Sequence, residues 1–187
     1  LQEGWNLIGN PLVTPVDINS LIITYNNSYL PDKEPLSKLA NFNRLESIGG
    51  NFIIENNHSL NEIDDFLSLK TITGRLSISE NYNELVTING FNTLEYVGEM
   101  LRIAGNSSLS SISGFNKLVN LTGTLYISDN KKLNSINAFN FLETIDDSIV
   151  IVRNNSLEAF GGFNTLIKIG NSLNITDNLH LFQIYGF

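Results

Sequence analysis

The stretch Gly114 to Asn137, GFNKLVNLTGTLYISDNKKLNSIN, decides the architecture, because the chain repeats it. Its phenylalanine, Phe115, belongs to a series: Phe42, Phe66, Phe91, Phe115, Phe139, Phe163 and Phe187, spaced 24, 25, 24, 24, 24 and 24 residues apart. Its asparagine, Asn130, belongs to a second: Asn57, Asn81, Asn106, Asn130, Asn154 and Asn178, with the single 25-residue step in the same repeat. A fixed period of this length means stacked, near-identical units, each burying its apolar edge against the next. The repeats begin at Asn41, Asp65, Gly90, Gly114, Ala138 and Gly162. Their consensus is x-F-N-x-L-x-x-I-x-x-x-L-x-I-x-x-N-x-x-L-x-x-I-x.

Within residues 114–137 only Leu125 and Ile127 stand two apart, the alternation of a strand. The other apolar steps, through Phe115, Leu118, Leu121, Leu133 and Ile136, are three or four residues and are broken by Gly, Asn and Ser. The expected fold is mainly β: a solenoid of 24-residue coils with one short strand per coil, paired in parallel about 4.8 Å from the next. Phe42, Phe66, Phe91, Phe115, Phe139 and Phe163 are expected to stack as a spine, and Phe115→Ala to cost about 3–5 kcal/mol. The asparagines follow the strand at a sharp turn, where inward-facing backbone groups need partners. A carboxamide offers both donor and acceptor, so Asn57, Asn81, Asn106, Asn130, Asn154 and Asn178 are expected to form a coil-to-coil ladder.

Residues 1–40 read as an N-terminal cap plus a degenerate coil. Leu21 to Leu30 superimposes on Leu76 to Leu85, and Trp5, Leu7, Ile8 and Leu12 supply apolar cover for the open end. Pro31 to Ala40 reads as an insertion with a short helical turn at Leu36 to Leu39. Residues 41–187 form six regular coils, and Gly186-Phe187 begins another repeat. The last coil, with Phe182, Ile184 and Phe187 at its edge, is expected to fray or to pair end to end with a second copy.

The chain has 187 residues, a net charge of −8 and no cysteine. Such an acidic balance disfavours nucleic acid, whose phosphates need a basic footprint, and disfavours adsorption on an anionic membrane. Without cysteine there are no disulfides, thiolate metal sites or thiol nucleophiles. No apolar run reaches the roughly 18 residues of a membrane span. Nothing in the sequence calls for a cofactor.

The phrases Gly90-Phe91-Asn92-Thr93-Leu94, Gly114-Phe115-Asn116-Lys117-Leu118 and Gly162-Phe163-Asn164-Thr165-Leu166 resemble leucine-rich-repeat relatives of the receptor L domain. So does Leu101-Arg102-Ile103-Ala104-Gly105-Asn106-Ser107-Ser108-Leu109. The opening Gly4-Trp5-Asn6-Leu7-Ile8-Gly9-Asn10-Pro11 resembles a phrase of exported Bacteroidetes proteins. The repeat resemblance covers about Leu21 to Phe187; it implies a right-handed solenoid at a cell surface or outside the cell, and no activity. The chain departs from ordinary leucine-rich repeats in placing leucine three residues after the asparagine rather than two, so their horseshoe curvature does not carry over.

No catalytic constellation stands out. His58 and His180 lie about five coils apart, over roughly 20 Å, too far to share a metal or a triad. An acidic column precedes the ladder at Glu80, Asp129 and Asp177, interrupted by Asn56, Gly105 and Arg153, with Asp146 and Asp147 elsewhere. A β-helix carbohydrate-active enzyme could use such a column, and it is kept as an alternative. Sequons occur at Asn26, Asn57, Asn106, Asn120, Asn154 and Asn174, most of them at ladder positions expected to be buried. Strand alternation turns Ile22, Ile53, Ser77, Arg102, Tyr126, Val150 and Asn174 outward, with mostly small neighbours. Arg75, Met100, Arg102, Tyr126, Val150 and Val152 form one patch of larger side chains on this flat face. Tyr and Arg are enriched at binding hot spots, so this is the candidate binding site for a protein or glycan. The expected function is non-enzymatic recognition or adhesion, with a structural spacer as the other alternative.

Overall fold

The computed structural model describes residues 16–24 and 35–187, so the cap residues Trp5, Leu7, Ile8 and Leu12 lie outside the described residues. The described chain winds into a parallel-strand solenoid with three sheets and no helix. The first sheet has seven strands, from Val16–Ile18 to Lys168–Ile169. The middle sheet also has seven, from Leu21–Thr24 to Leu173–Thr176. The third has six, from Glu62–Ile63 to Gln183–Ile184. Each coil therefore contributes three strands, not one. In residues 114–137 these are Asn120–Leu121, Leu125–Ser128 and Ser135–Asn137. Many of the extra strands are two residues long and carry a single inward apolar residue, so they show no alternation to read.

The inward residues pack as columns. Leu101, Leu125 and Ile149 are in register across three coils, as are Ile103, Ile127 and Ile151. All six are fully buried. The phenylalanine spine is continuous: ring centroids lie 5.4 Å apart for Phe66–Phe91, 5.3 Å for Phe91–Phe115, 5.5 Å for Phe115–Phe139 and 5.4 Å for Phe139–Phe163. Phe42 and Phe187 extend it at either end, at 5.1 and 5.2 Å. Phe52 and Phe160, inside the same core, meet the spine edge-on or tilted. The core is thus one uninterrupted apolar column along the solenoid axis.

The single 25-residue step changes no sheet register. Leu76 pairs with Leu101, and Thr87 with Ser111, so the extra residue sits between them, in the turn at Tyr82 to Glu84. A surface turn absorbs an added residue at small entropic cost, whereas a strand slip would invert its faces. One expectation fails near the start. Leu36 to Leu39 forms no helical turn; Lys38 makes a parallel bridge to Glu62, and Leu39 is buried. Leu39 stands three residues before Phe42 as Ile63 stands before Phe66, so it fills the coil's own apolar position. The seven extra residues of this coil fall before it: Leu21 pairs with Phe52, 31 residues on, and Lys38 with Glu62, 24 residues on.

Candidate functional site: the outer face of the middle sheet

The middle sheet has the longest repeated strands, four residues each, and so is the side of the solenoid with a real outward face. Two inward residues anchor each strand, and the two between and after them point outward. The strand then ends at a corner with positive φ in every coil: Asn56 58°, Glu80 59°, Gly105 69°, Asp129 58°, Arg153 56° and Asp177 57°. This is the column that the sequence offered as acidic chemistry. Four of its six residues have a backbone reason, since Asn, Asp and Gly are the residues that best tolerate the left-handed region; Glu80 and Arg153 are the two that do not follow it.

Immediately after the corner comes the asparagine ladder, buried at Asn57, Asn81, Asn106, Asn130 and Asn154. Each backbone N–H donates to the Oδ1 of the asparagine one coil on, as Asn106 does to Asn130 at 3.0 Å and Asn130 to Asn154 at 3.1 Å. Each Nδ2 donates back to a carbonyl of the preceding coil: Asn81 to Ile54, Asn106 to Ile78, Asn130 to Ile103, Asn154 to Ile127 and Asn178 to Ile151, at 2.8–3.1 Å. Every Nδ2 of the ladder donates to the scaffold, so the sequons at Asn57, Asn106 and Asn154 sit on buried side chains whose amide nitrogens are occupied. The buried Oδ1 of Asn57, first in the ladder, has no partner among the described residues. Asn120 and Asn174 are exposed.

A second ladder follows the phenylalanines on another corner. Asn116 donates to Asn92 at 3.3 Å, Asn140 to Asn116 at 3.4 Å and Asn164 to Asn140 at 2.8 Å. The sequence signal was there, in the asparagine after each phenylalanine of these repeats, but its role depends on the corner geometry.

The outer face itself differs from the flat, open surface expected. Arg75 is exposed, and Met100, Arg102, Tyr126 and Val150 are half-buried. Val152 is only 8% exposed and leaves the candidate patch. Ile53, Ser77, Ser79, Ala104, Ser128 and Ser148, outward by alternation, are buried as well. Ion pairs link the corner residues to one another and to the outward strand residue Arg102 along this edge. Arg153 donates to both carboxylate oxygens of Asp129, at 2.7 and 2.8 Å. Glu80 places its carboxylate over Gly105 and within 4.0 Å of Arg102. The hydrogen bond from Arg153 is the chief cause holding the Asp129 carboxyl below its ordinary value, and Arg153 is correspondingly raised. Tyr126, on the neighbouring coil, adds a smaller share to the raising of Arg153.

The turn edge of the face has its own hub. Asp147 accepts from Thr124 at 2.6 Å and from Asn171 and Ser148 at 3.2 Å, tying three coils together. The Thr124 hydrogen bond is the main reason its carboxyl is depressed. Asp146, its neighbour, pairs instead with Lys168 at 2.8 Å. The histidines stay apart from all of this: His58 faces the Tyr82 ring at 5.4 Å, and His180 meets the carbonyl of Asn155. Among the described residues no three His, Asp or Glu side chains come together where they could hold a metal ion.

Comparison with protein-family models, with curated proteins and with solved structures finds no match.

Proposed function

We infer that this chain is a non-enzymatic recognition solenoid that works at a cell surface or outside the cell and binds a protein or glycan on the middle-sheet face. The observation that carries this is the cluster of Arg102, Tyr126, Asp129 and Arg153, drawn from three successive coils and partly open to solvent. A face built only as scaffold has no need to set an aromatic ring and ordered guanidinium groups over small residues, and these are the side chains that dominate binding energies. The resemblance to L-domain relatives supports the surface location and a right-handed winding. The same reading includes end-to-end pairing of copies through the last coil, where Leu173, Ile184 and Phe187 are exposed at the edge.

The alternative is a spacer that holds another domain at a distance, for which the face would be inert. A glycan array and a protein pulldown with the wild type and with Arg102→Ala/Tyr126→Ala separate the two. Binding lost in the double variant supports the face; binding unchanged in it removes the site. Release of reducing ends from a polysaccharide would instead favour the carbohydrate-active enzyme. Sedimentation velocity across a concentration series tests the pairing of copies.

A further inference from the structure

Between the second and fifth regular coils the second outward column reads Ser77, Arg102, Tyr126, Val150, and the corner column reads Glu80, Gly105, Asp129, Arg153. Their charged members are Glu80, Arg102, Asp129 and Arg153, two of each sign, and the neighbouring Arg75 adds a single positive charge. The pairs are already formed, Glu80 beside Arg102 and Asp129 clasped by Arg153. Such a face projects little net field, so it offers a polyanion or an acidic peptide no long-range attraction. It does offer fixed donors and acceptors in a set order, which suits neighbouring hydroxyl groups. Tyr126 is the one aromatic ring among them, half-buried, with part of its surface left in solvent. An amphipathic ring in that position can take the C–H face of a sugar and keep its hydroxyl free to bond a polar group.

The period adds a second constraint. Successive coils advance about 4.8 Å along the axis, close to the length one pyranose adds to an extended polymer. A chain of sugars laid along the axis would therefore meet one new pair of outward and corner residues per unit. A peptide strand laid across the face would find no unpaired backbone there, because every strand between the first and last of the middle sheet is paired on both sides.

We propose that this face binds a neutral, linear polysaccharide running along the solenoid axis from Arg75 to Arg153, with Tyr126 as the stacking platform and the Glu80, Arg102, Asp129 and Arg153 groups bonding its hydroxyls. The proposal rests on the middle-sheet face being the binding surface. The test is native affinity electrophoresis of the 187-residue chain through gels containing hydroxyethyl cellulose, arabinoxylan, galactomannan or laminarin, with polygalacturonate and poly-glutamate as charged controls. Wild type is expected to be retarded by at least one neutral polymer. Tyr126→Ala and Arg102→Ala are expected to weaken that retention by about tenfold or more, the scale of truncating an anchor. Tyr126→Phe keeps the ring and is expected to keep most of it, and Lys117→Ala, on another corner, to change nothing. Thermal unfolding of each variant checks that the solenoid is intact. Failure of every neutral polymer to retard the wild type overturns the proposal. Retention only by polygalacturonate or poly-glutamate, reduced in the two alanine variants, overturns the sugar class and leaves the face standing. Retention indifferent to every face variant overturns both.

Discussion

Asn130 shows how much one side chain is asked to do. Its Oδ1 accepts from the backbone and amide of Asn106, its Nδ2 donates to the Ile103 carbonyl, and its own N–H is satisfied by Asn154. Asn130→Ala strands the Asn106 N–H in a site without solvent and takes the side-chain donor from the Ile103 carbonyl, at about 1–3 kcal/mol for the N–H left unpaired. Asn130→Asp keeps an acceptor but sets a buried carboxylate against that carbonyl; it is expected to be at least as destabilising in urea unfolding at neutral pH and to recover partly in acid, when the carboxyl can donate again. Asp147 works in the opposite sense, at the surface. Its folded carboxyl titrates below the ordinary value near 3.8, so its contribution is fully present above that pH and is lost as pH falls through the depressed value. Asp147→Asn is expected to flatten that part of the stability profile below about pH 4, read from thermal midpoints across a pH series.

At the scale of an element, the corner between the first and middle sheets sets how closely coils stack. At Gly98 an added Cβ would sit 2.0 Å from the Thr73 carbonyl oxygen of the coil before it. That oxygen belongs to backbone, so the coils themselves would have to part. Gly98→Ala is expected to cost about 1–3 kcal/mol as overpacking, with the loss showing in both the thermal midpoint and the amide protection of the two coils it separates. The phenylalanine spine is the complementary case: Phe115 is fully buried between Phe91 and Phe139, and its truncation opens a cavity that two stacked rings cannot close.

In the whole molecule each interior coil among the described residues pairs with two neighbours, and the first and last described coils each with one. The last coil also turns the most exposed apolar side chains outward, Ile167 at 82%, Leu179 at 76% and Phe182 at 76% exposed, at positions where earlier coils carry mostly polar residues. Its strands Lys168–Ile169, Leu173–Thr176 and Gln183–Ile184 each have a partner on one side only. Local stability in a solenoid follows such nearest-neighbour terms. Hydrogen exchange is therefore expected to show protection rising from residues 162–185 toward the coils that start at Gly90 and Gly114. Equal protection of the last coil in a demonstrably monomeric sample would contradict this gradient.

The period of Phe42 to Phe187 and of Asn57 to Asn178 determined the stacking, the parallel pairing, the ring spine and the ladder, because each depends only on identical residues meeting once per coil. The longest strand of each coil was legible too, since Leu125 and Ile127 alternate. The other two strands were not: with one inward residue apiece, Leu121 and Ile136 look the same in a strand as in a loop, and only pairing with the neighbouring coils defines them. The candidate site divides in the same way. Alternation put Arg102 and Tyr126 on the outer face, but the sequence placed Val152 there as an open residue. Tertiary structure decided otherwise: Val152 is buried, Arg153 after it pairs along the positive-φ corner with Asp129 one coil away, and no pattern in the chain reports the direction in which a corner aims its side chain.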